Sequence, residues 1–139
     1  MSLKDTPMFA SLPAHDSERA KRWYEEKLGL TPMQDMGPAG LLYSTGGSQW
    51  LIYQTPMAGT GKQTVGGFVV PDIDETMREL RAKGVTFEDY AMGDQGPTTE
   101  NGVASDESGG RVAWFKDSEG NVLALTQIPP GMALPGDVT

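Results

Sequence analysis

The sequence predicts an α+β domain made of two tandem βαβββ modules, and three observations carry that prediction. A helical word running from Asp16 to Thr31 recurs loosely from Asp72 to Thr86. Each copy is preceded by one strand-like run and followed by several more. The last runs close on similar words, Leu51-Ile-Tyr-Gln-Thr-Pro56 and Ala124-Leu-Thr-Gln-Ile-Pro129. Duplication of a whole supersecondary unit accounts for all three.

The first helix starts at Asp16, whose short carboxylate suits an N-cap, and Glu18 adds negative charge to the first turn. Ala20, Trp23, Tyr24 and Leu28 follow at helical spacing, and Gly29 ends the run. The second helix opens after Pro71 with Asp72-Ile-Asp-Glu75, which resembles a capping box, and carries Ile73, Met77 and Leu80 on one face before Gly84. Both helices pair an apolar stripe with a charged back, so each is expected to lie on one face of a sheet. Strands are predicted over residues 8–14, 31–36, 41–45 and 49–55 in module one. In module two they are predicted over 64–70, 86–90, 102–105, 111–116 and 122–128. Gly37-Pro38-Ala39-Gly40 and Gly46-Gly47 supply turn chemistry between them. Residues 91–110, rich in Gly, Asp, Ser and Thr, read as a long irregular loop of the kind that binds or moves.

Composition excludes several functions. Lys plus Arg number 11 against 19 for Asp plus Glu, a net charge of −8 that repels phosphate backbones and anionic lipid. Nucleic acid is therefore not an expected partner. With no cysteine, the chain has no disulfide framework, thiolate metal site or cysteine nucleophile. No apolar run approaches the ~20 residues that cross a bilayer, and the first residues lack a signal-peptide core, so no membrane role is expected and the cytoplasm is the expected location.

Three words, Asp16-x-x-Arg-Ala-x-x-Trp-Tyr-x-x-x-Leu-Gly-Leu30, then Val69-Val-Pro-Asp-Ile-Asp74 with Leu80-Arg-Ala-Lys-Gly-Val85, and Ala113-Trp-Phe-Lys-Asp-Ser-Glu-Gly-Asn-Val-Leu-Ala-Leu125, resemble the vicinal oxygen chelate superfamily. That superfamily groups glyoxalase I, extradiol dioxygenases, fosfomycin-resistance enzymes and bleomycin-resistance proteins. The resemblance covers residues 8–129, with module one about 8–56 and module two about 64–129; residues 1–7 and 130–139 are tails. It implies that the two modules form a half-open, cup-shaped sheet, and that the chain forms a homodimer.

In metal-dependent members of the superfamily, His or Glu on the first and last strands of each module holds a divalent ion. Carried over by position, those ligands fall on Phe9 and Leu51 in module one and on Val65 and Ala124 in module two. All four are hydrocarbon side chains, with no lone pair for a cation. No metal site and no cofactor are expected. The sole histidine, His15, sits at a strand-helix junction, and Asp72, Asp74, Asp106, Glu107, Asp117 and Glu119 fall in caps or turns where acidic residues bond the backbone. The word Asp117-Ser-Glu-Gly-Asn121 reads as a hairpin turn remote from the cup.

The candidate ligand-binding residues are therefore Tyr53, Tyr43, Trp114, Phe9, Leu51, Val65 and Ala124. Strand alternation puts Tyr53 on the face of Leu51 and turns Trp50 and Ile52 toward the helix, while Trp114 fits either face. Three functions fit these residues. The first is a metal-independent small-molecule-binding protein whose apolar, aromatic-lined cup takes an aromatic ligand, or a cationic one drawn by the negative charge. The second is a lyase, isomerase or dioxygenase-type enzyme with an unconventional metal site or metal-free acid-base chemistry by Tyr53, Tyr43, His15 or Glu100. The third is a non-catalytic interaction dimer whose cup is filled by its own side chains.

Overall fold

In the computed structural model, residues 3–131 are described. Two four-stranded mixed sheets and two helices make an α+β fold in two βαβββ modules. Module one comprises β1 (Ala10–Ala14), α1 (Ser17–Leu28), β2 (Gln34–Asp35), β3 (Leu41–Thr45) and β4 (Ser48–Gln54). Module two comprises β5 (Thr64–Val69), α2 (Ile73–Ala82), β6 (Val103–Ser105), β7 (Arg111–Lys116) and β8 (Val122–Gln127). The strand orders are β1-β4-β3-β2 and β5-β8-β7-β6, so in each sheet the first strand runs parallel to the last and forms an outer edge. The sheets stay open, consistent with a cup. The outer edges of β1 and β5 approach each other and define the seam between modules.

The helices begin and end for the reasons the sequence supplies. Asp16 and Asp72 each accept the backbone N–H three residues on, from Arg19 and Glu75, at 3.1 Å. Gly29, at φ +70°, takes the left-handed turn that closes α1. The repeated glutamine of the two closing words also acquires a purpose. Gln54 at the end of β4 accepts the N–H of Ser17 at 3.0 Å, and Gln127 at the end of β8 accepts that of Ile73 at 2.9 Å. Each module thus uses its last strand to satisfy a free donor at the start of its own helix.

A single apolar core lies between the sheets and the helices. Tyr24, Tyr43, Phe115, Ile52, Ile73 and Met77 are its largest fully buried members, and they come from both modules. Trp23 of α1 stacks on Phe115 of β7 at 6.4 Å, so the first helix packs against the second sheet as well as its own.

Module two differs from the sequence expectation in one place. Residues 86–90 do not form a strand; only Phe87 bridges to Phe115, while β6 pairs with Arg111–Ala113 of β7. The free edge of β7 is shared between two short segments, which leaves neither room for a longer ladder. Residues 91–110 are also more tied down than an irregular loop. Thr99 Oγ1 donates to Asp89 at 2.8 Å and accepts from Tyr90 N at the same distance, and Gly102 N donates to Asp89 at 2.9 Å. Among the described residues, no helix is long and apolar enough to cross a membrane. Residues 132–139 of the expected C-terminal tail lie outside the described residues, as do residues 1 and 2.

Candidate binding site at the module seam

The seam has two unlike ends. At one, where β1 finishes and β8 begins, the Asp117–Asn121 turn docks on the start of α1. Asp117 is buried and accepts four hydrogen bonds: Tyr24 OH at 2.6 Å, Glu119 N at 2.8 Å, and both Asn121 N and Asn121 Nδ2 at 2.9 Å. Asn121 Nδ2 also donates to the Pro13 carbonyl at 2.9 Å, crossing to the free edge of β1. Glu119 has a fully buried side chain and accepts from Asp16 N at 2.9 Å, from Arg19 Nε at 2.8 Å and from Ser118 Oγ at 2.8 Å. Burial alone would raise the Glu119 pKa, but these donors, led by the Arg19 guanidinium, outweigh it and lower the group to about 2. The turn expected to be remote is a buried polar joint between modules.

At the other end the strands part around a cavity of about 550 Å³. Tyr24, Trp50, Phe68, Leu12 and Leu123 line its apolar wall, and Met8, Phe9 and Val69 stand at its mouth, 96%, 55% and 40% exposed. The size suits a drug-sized organic molecule. The indole of Trp50 is held on both sides: Tyr43 stacks on it at 4.5 Å with a 9° interplanar angle, and Nε1 donates to Thr45 Oγ1 at 2.9 Å. Phe68 meets it edge-on at 6.4 Å, and Tyr24 lies tilted against it at 5.8 Å with a 51° interplanar angle. Gly67 admits the backbone here because a Cβ would stand 2.6 Å from the Ala124 carbonyl oxygen.

Tyr24 belongs to both ends. Its ring walls the cavity while its hydroxyl is held by Asp117, and burial followed by the Asp117 charge raises the phenol pKa well above its usual value. Tyr24 is therefore a neutral wall at physiological pH.

Of the seven candidate residues, Phe9 alone lines this cavity. Tyr43 lies fully buried behind Trp50, its hydroxyl without a partner among the described residues, and burial raises its pKa to about 12. Register places Leu51 and Tyr53 on the face of β4 opposite Trp50 and Ile52, and Ala124 and Trp114 form a direct cross-strand pair on the corresponding face of the second sheet. Trp114 meets Tyr90 edge-on at 5.3 Å. Val65 sits in a register shift of β5 and packs against the core cluster. The structure thus groups Leu51 with Tyr53, and Ala124 with Trp114, on sheet faces turned from the helices, and leaves Val65 and Tyr43 apart. The residues that sequence reasoning passed over are Tyr24, Trp50 and Phe68, because apolar periodicity marks a core wall and a cavity wall identically. The available signal was Gly66-Gly67 inside a strand, a mark of close backbone approach.

A second, polar cleft of about 750 Å³ lies between α2, the 98–101 turn and β6, lined by Arg81, Arg111, Asp74 and Glu100 among others. Its cations are engaged: Arg111 pairs both ways with Asp74, and Arg81 donates to the Asn101 carbonyl while lying 5.3 Å over the Phe87 ring.

Two open βαβββ sheets meeting at their first strands define the paired-module class of fold. The profile of the glyoxalase/bleomycin resistance protein/dioxygenase superfamily matches residues 8–125, and the chain belongs to that superfamily. Among solved structures it is similar to UcmS2, at 22% identity with 88% of this chain and 99% of that one covered and a TM-score of 0.65. It is also similar to a glyoxalase/bleomycin resistance protein from Catenulispora acidiphila, at 20% identity, 90% and 100% coverage and a TM-score of 0.65. A lactoylglutathione lyase from Agrobacterium tumefaciens aligns at 14% identity, 88% and 93% coverage and the same TM-score. No curated protein matches the sequence. These likenesses establish the fold alone.

The divalent ion of metal-dependent superfamily members does not fit the residues present. Phe9, Leu51 and Ala124 offer only hydrocarbon, and Val65 is drawn into the core packing. Among the described residues, no three His, Cys, Asp or Glu side chains converge to hold an ion.

Proposed function

We propose that this chain is a metal-independent small-molecule-binding protein that takes an organic ligand into the seam cavity. The observation that carries the reading is the cavity itself, a site of ligand size with an indole fixed in its wall and exposed apolar residues at its mouth. A fragment screen by thermal shift and tryptophan fluorescence tests it. Aromatic fragments are expected to bind at micromolar to millimolar Kd, roughly 4 to 8 kcal/mol of affinity, and Phe68→Ala to weaken them. A broad library giving neither shift nor quenching would overturn the reading.

The protein acts as a homodimer in the cytoplasm on this reading. The open edges of β2 and β6, on the sides of the sheets away from the seam, and the exposure of Met8 and Phe9 support self-association, since free strand edges and apolar side chains are normally covered. Sedimentation at micromolar concentration checks it, and a monomer throughout would remove this part of the proposal while leaving the cavity intact.

A further inference from the structure

We infer that the ligand of the seam cavity is a neutral, flat aromatic molecule carrying a donor-acceptor edge of the carboxamide or lactam kind. The inference rests on the ligand-binding reading above and names the class of molecule that reading leaves open. Two features of the cavity carry it.

The first is the absence of a counter-charge in the wall. Among the described residues the lining contains no Asp, Glu, Lys, Arg or His, and the titratable group it does contain, Tyr24, has already committed its hydroxyl to Asp117 at 2.6 Å. A cation entering this cavity loses hydration and meets ring faces and the neutral side chains of Thr45, Ser48 and Gln49 but no carboxylate, and the desolvation of an unpaired charge exceeds the attraction of aromatic rings for it. The overall charge of −8 raises cation concentration around the molecule, but that field is screened over about 8–10 Å at physiological salt and fixes no partner inside the cavity. An anion meets the same uncharged wall and an unfavourable field as well.

The second feature is a pair of strand edges with free backbone groups. Val70 N donates to the Thr126 carbonyl at 2.8 Å, so strand alternation turns the N–H and C=O of Gly67 and Val69 away from β8 and toward the seam. Thr55 N donates to the Ala14 carbonyl at 2.8 Å, which by the same alternation turns the backbone groups of Ser11 and Phe9 to the seam. At the far end the matching acceptor, Pro13 C=O, is taken by Asn121. Around the cavity, Phe9, Gly67 and Val69 border the space, and β1 and β5 belong to separate sheets. Phe9, Gly67 and Val69 are exposed, so water serves these groups in the free protein, and an amide edge that displaces it supplies one donor and one acceptor in the geometry of a missing strand. The ring of the ligand packs against Trp50 and Phe68 while its amide bonds to these edges.

The test is a matched series on one ring, titrated into the full chain by tryptophan fluorescence at 0.15 M salt: 2-naphthamide, N,N-dimethyl-2-naphthamide, 2-naphthoate and (2-naphthylmethyl)trimethylammonium. The expected order puts 2-naphthamide about tenfold or more tighter than either charged probe, with the dimethylamide, which has lost its N–H, weakened about fivefold. Phe68→Ala is expected to weaken the amide about tenfold, which locates it in the cavity. Ammonium binding equal to or tighter than the amide would overturn the charge selection, and an unchanged dimethylamide would overturn the backbone-edge recognition, with the ligand-binding reading standing in both cases. Amide affinity indifferent to Phe68→Ala would overturn the assignment to this cavity. If no probe binds and the fragment screen is also silent, the broader reading fails, and this inference with it.

Discussion

The two ends of the module seam solve the same problem with opposite chemistry. Where β1 ends, modules are joined by buried polar groups that are almost fully satisfied, with Asp117 taking four donors and Glu119 taking Arg19, Asp16 N and Ser118. Where β1 begins, the join is apolar and incomplete, leaving a cavity of about 550 Å³. Hydrogen bonds to buried carboxylates are directional and costly to leave unmade, so the polar end fixes how one module sits on the other. Apolar contacts have no such direction, so the other end can stay open without leaving an unpaired charge. The rigid end positions the wall of the open end through a single side chain, Tyr24.

The largest effect expected from breaking this division falls on the polar end. Asp117→Ala strips acceptors from Tyr24 OH, Glu119 N and both nitrogens of Asn121, several of them buried. A loss of about 3–4 kcal/mol is expected, a fall in Tm of roughly 10 °C for a chain of this size. Calorimetry checks it, and a loss below about 1 kcal/mol would mean that the joint is dispensable. Because Tyr24 also walls the cavity, the same variant should weaken ligand binding as well.

The pH dependence is expected to come next in size. The Glu119 pKa is lowered from 4.5 to about 2 in the folded protein, so its contribution is fully present above pH 4.5 and is lost as pH falls through 2. At about 1.4 kcal/mol per unit, and with Arg19 half exposed to solvent, the contribution is discounted to roughly 1–2 kcal/mol. Urea unfolding between pH 6 and pH 2.5 should lose about that much more in the parent than in Glu119→Gln. Equal slopes would show that the ion pair adds nothing.

The contrast between the ends also explains what the sequence could reveal. Both helices, their aspartate caps and the Gly29 stop were legible because capping and periodicity are local. The repeat of Gln54 and Gln127 was visible as a word, but its purpose, capping the module's own helix, needed the strand order. Strand 86–90 was misread because β propensity does not tell which of two segments gains the edge of β7. Asp117 looked like a turn and is one, with Gly120 at φ +85°, but burial of a turn between modules is a long-range fact. The cavity was the least legible part. Trp50 was correctly assigned to the helix-facing side of β4, and whether that side is filled at every point is decided by how two sheets diverge.

Tyr24→Phe sharpens the comparison because it separates the two roles of one residue. The hydroxyl is removed and the ring is kept, and Asp117 retains three of its four donors. About 1 kcal/mol of stability should be lost. Affinity for an aromatic fragment should stay within about threefold, since the wall keeps its shape. A variant with parental stability and lost affinity would reverse the assignment, making the hydroxyl a ligand contact rather than part of the joint.

The smallest expected effect is at Tyr43, a buried side chain whose hydroxyl takes no part in the polar joint. Its ring backs Trp50 at 4.5 Å, while its hydroxyl has no partner among the described residues. A buried phenol that gains no hydrogen bond on folding gives up its hydration without compensation, so replacing it by Phe removes a cost and keeps the stack. Tyr43→Phe is therefore expected to change stability by no more than about 1 kcal/mol, in the stabilising direction. With the phenol pKa raised to about 12, the group stays protonated across the physiological range, and no pH dependence should accompany the change. Chemical denaturation of parent and variant at pH 7 and pH 9 provides the measurement. A loss above about 1.5 kcal/mol at either pH would mean that the hydroxyl has a partner in solution, and Tyr43 would then belong with the polar joint rather than behind the apolar wall.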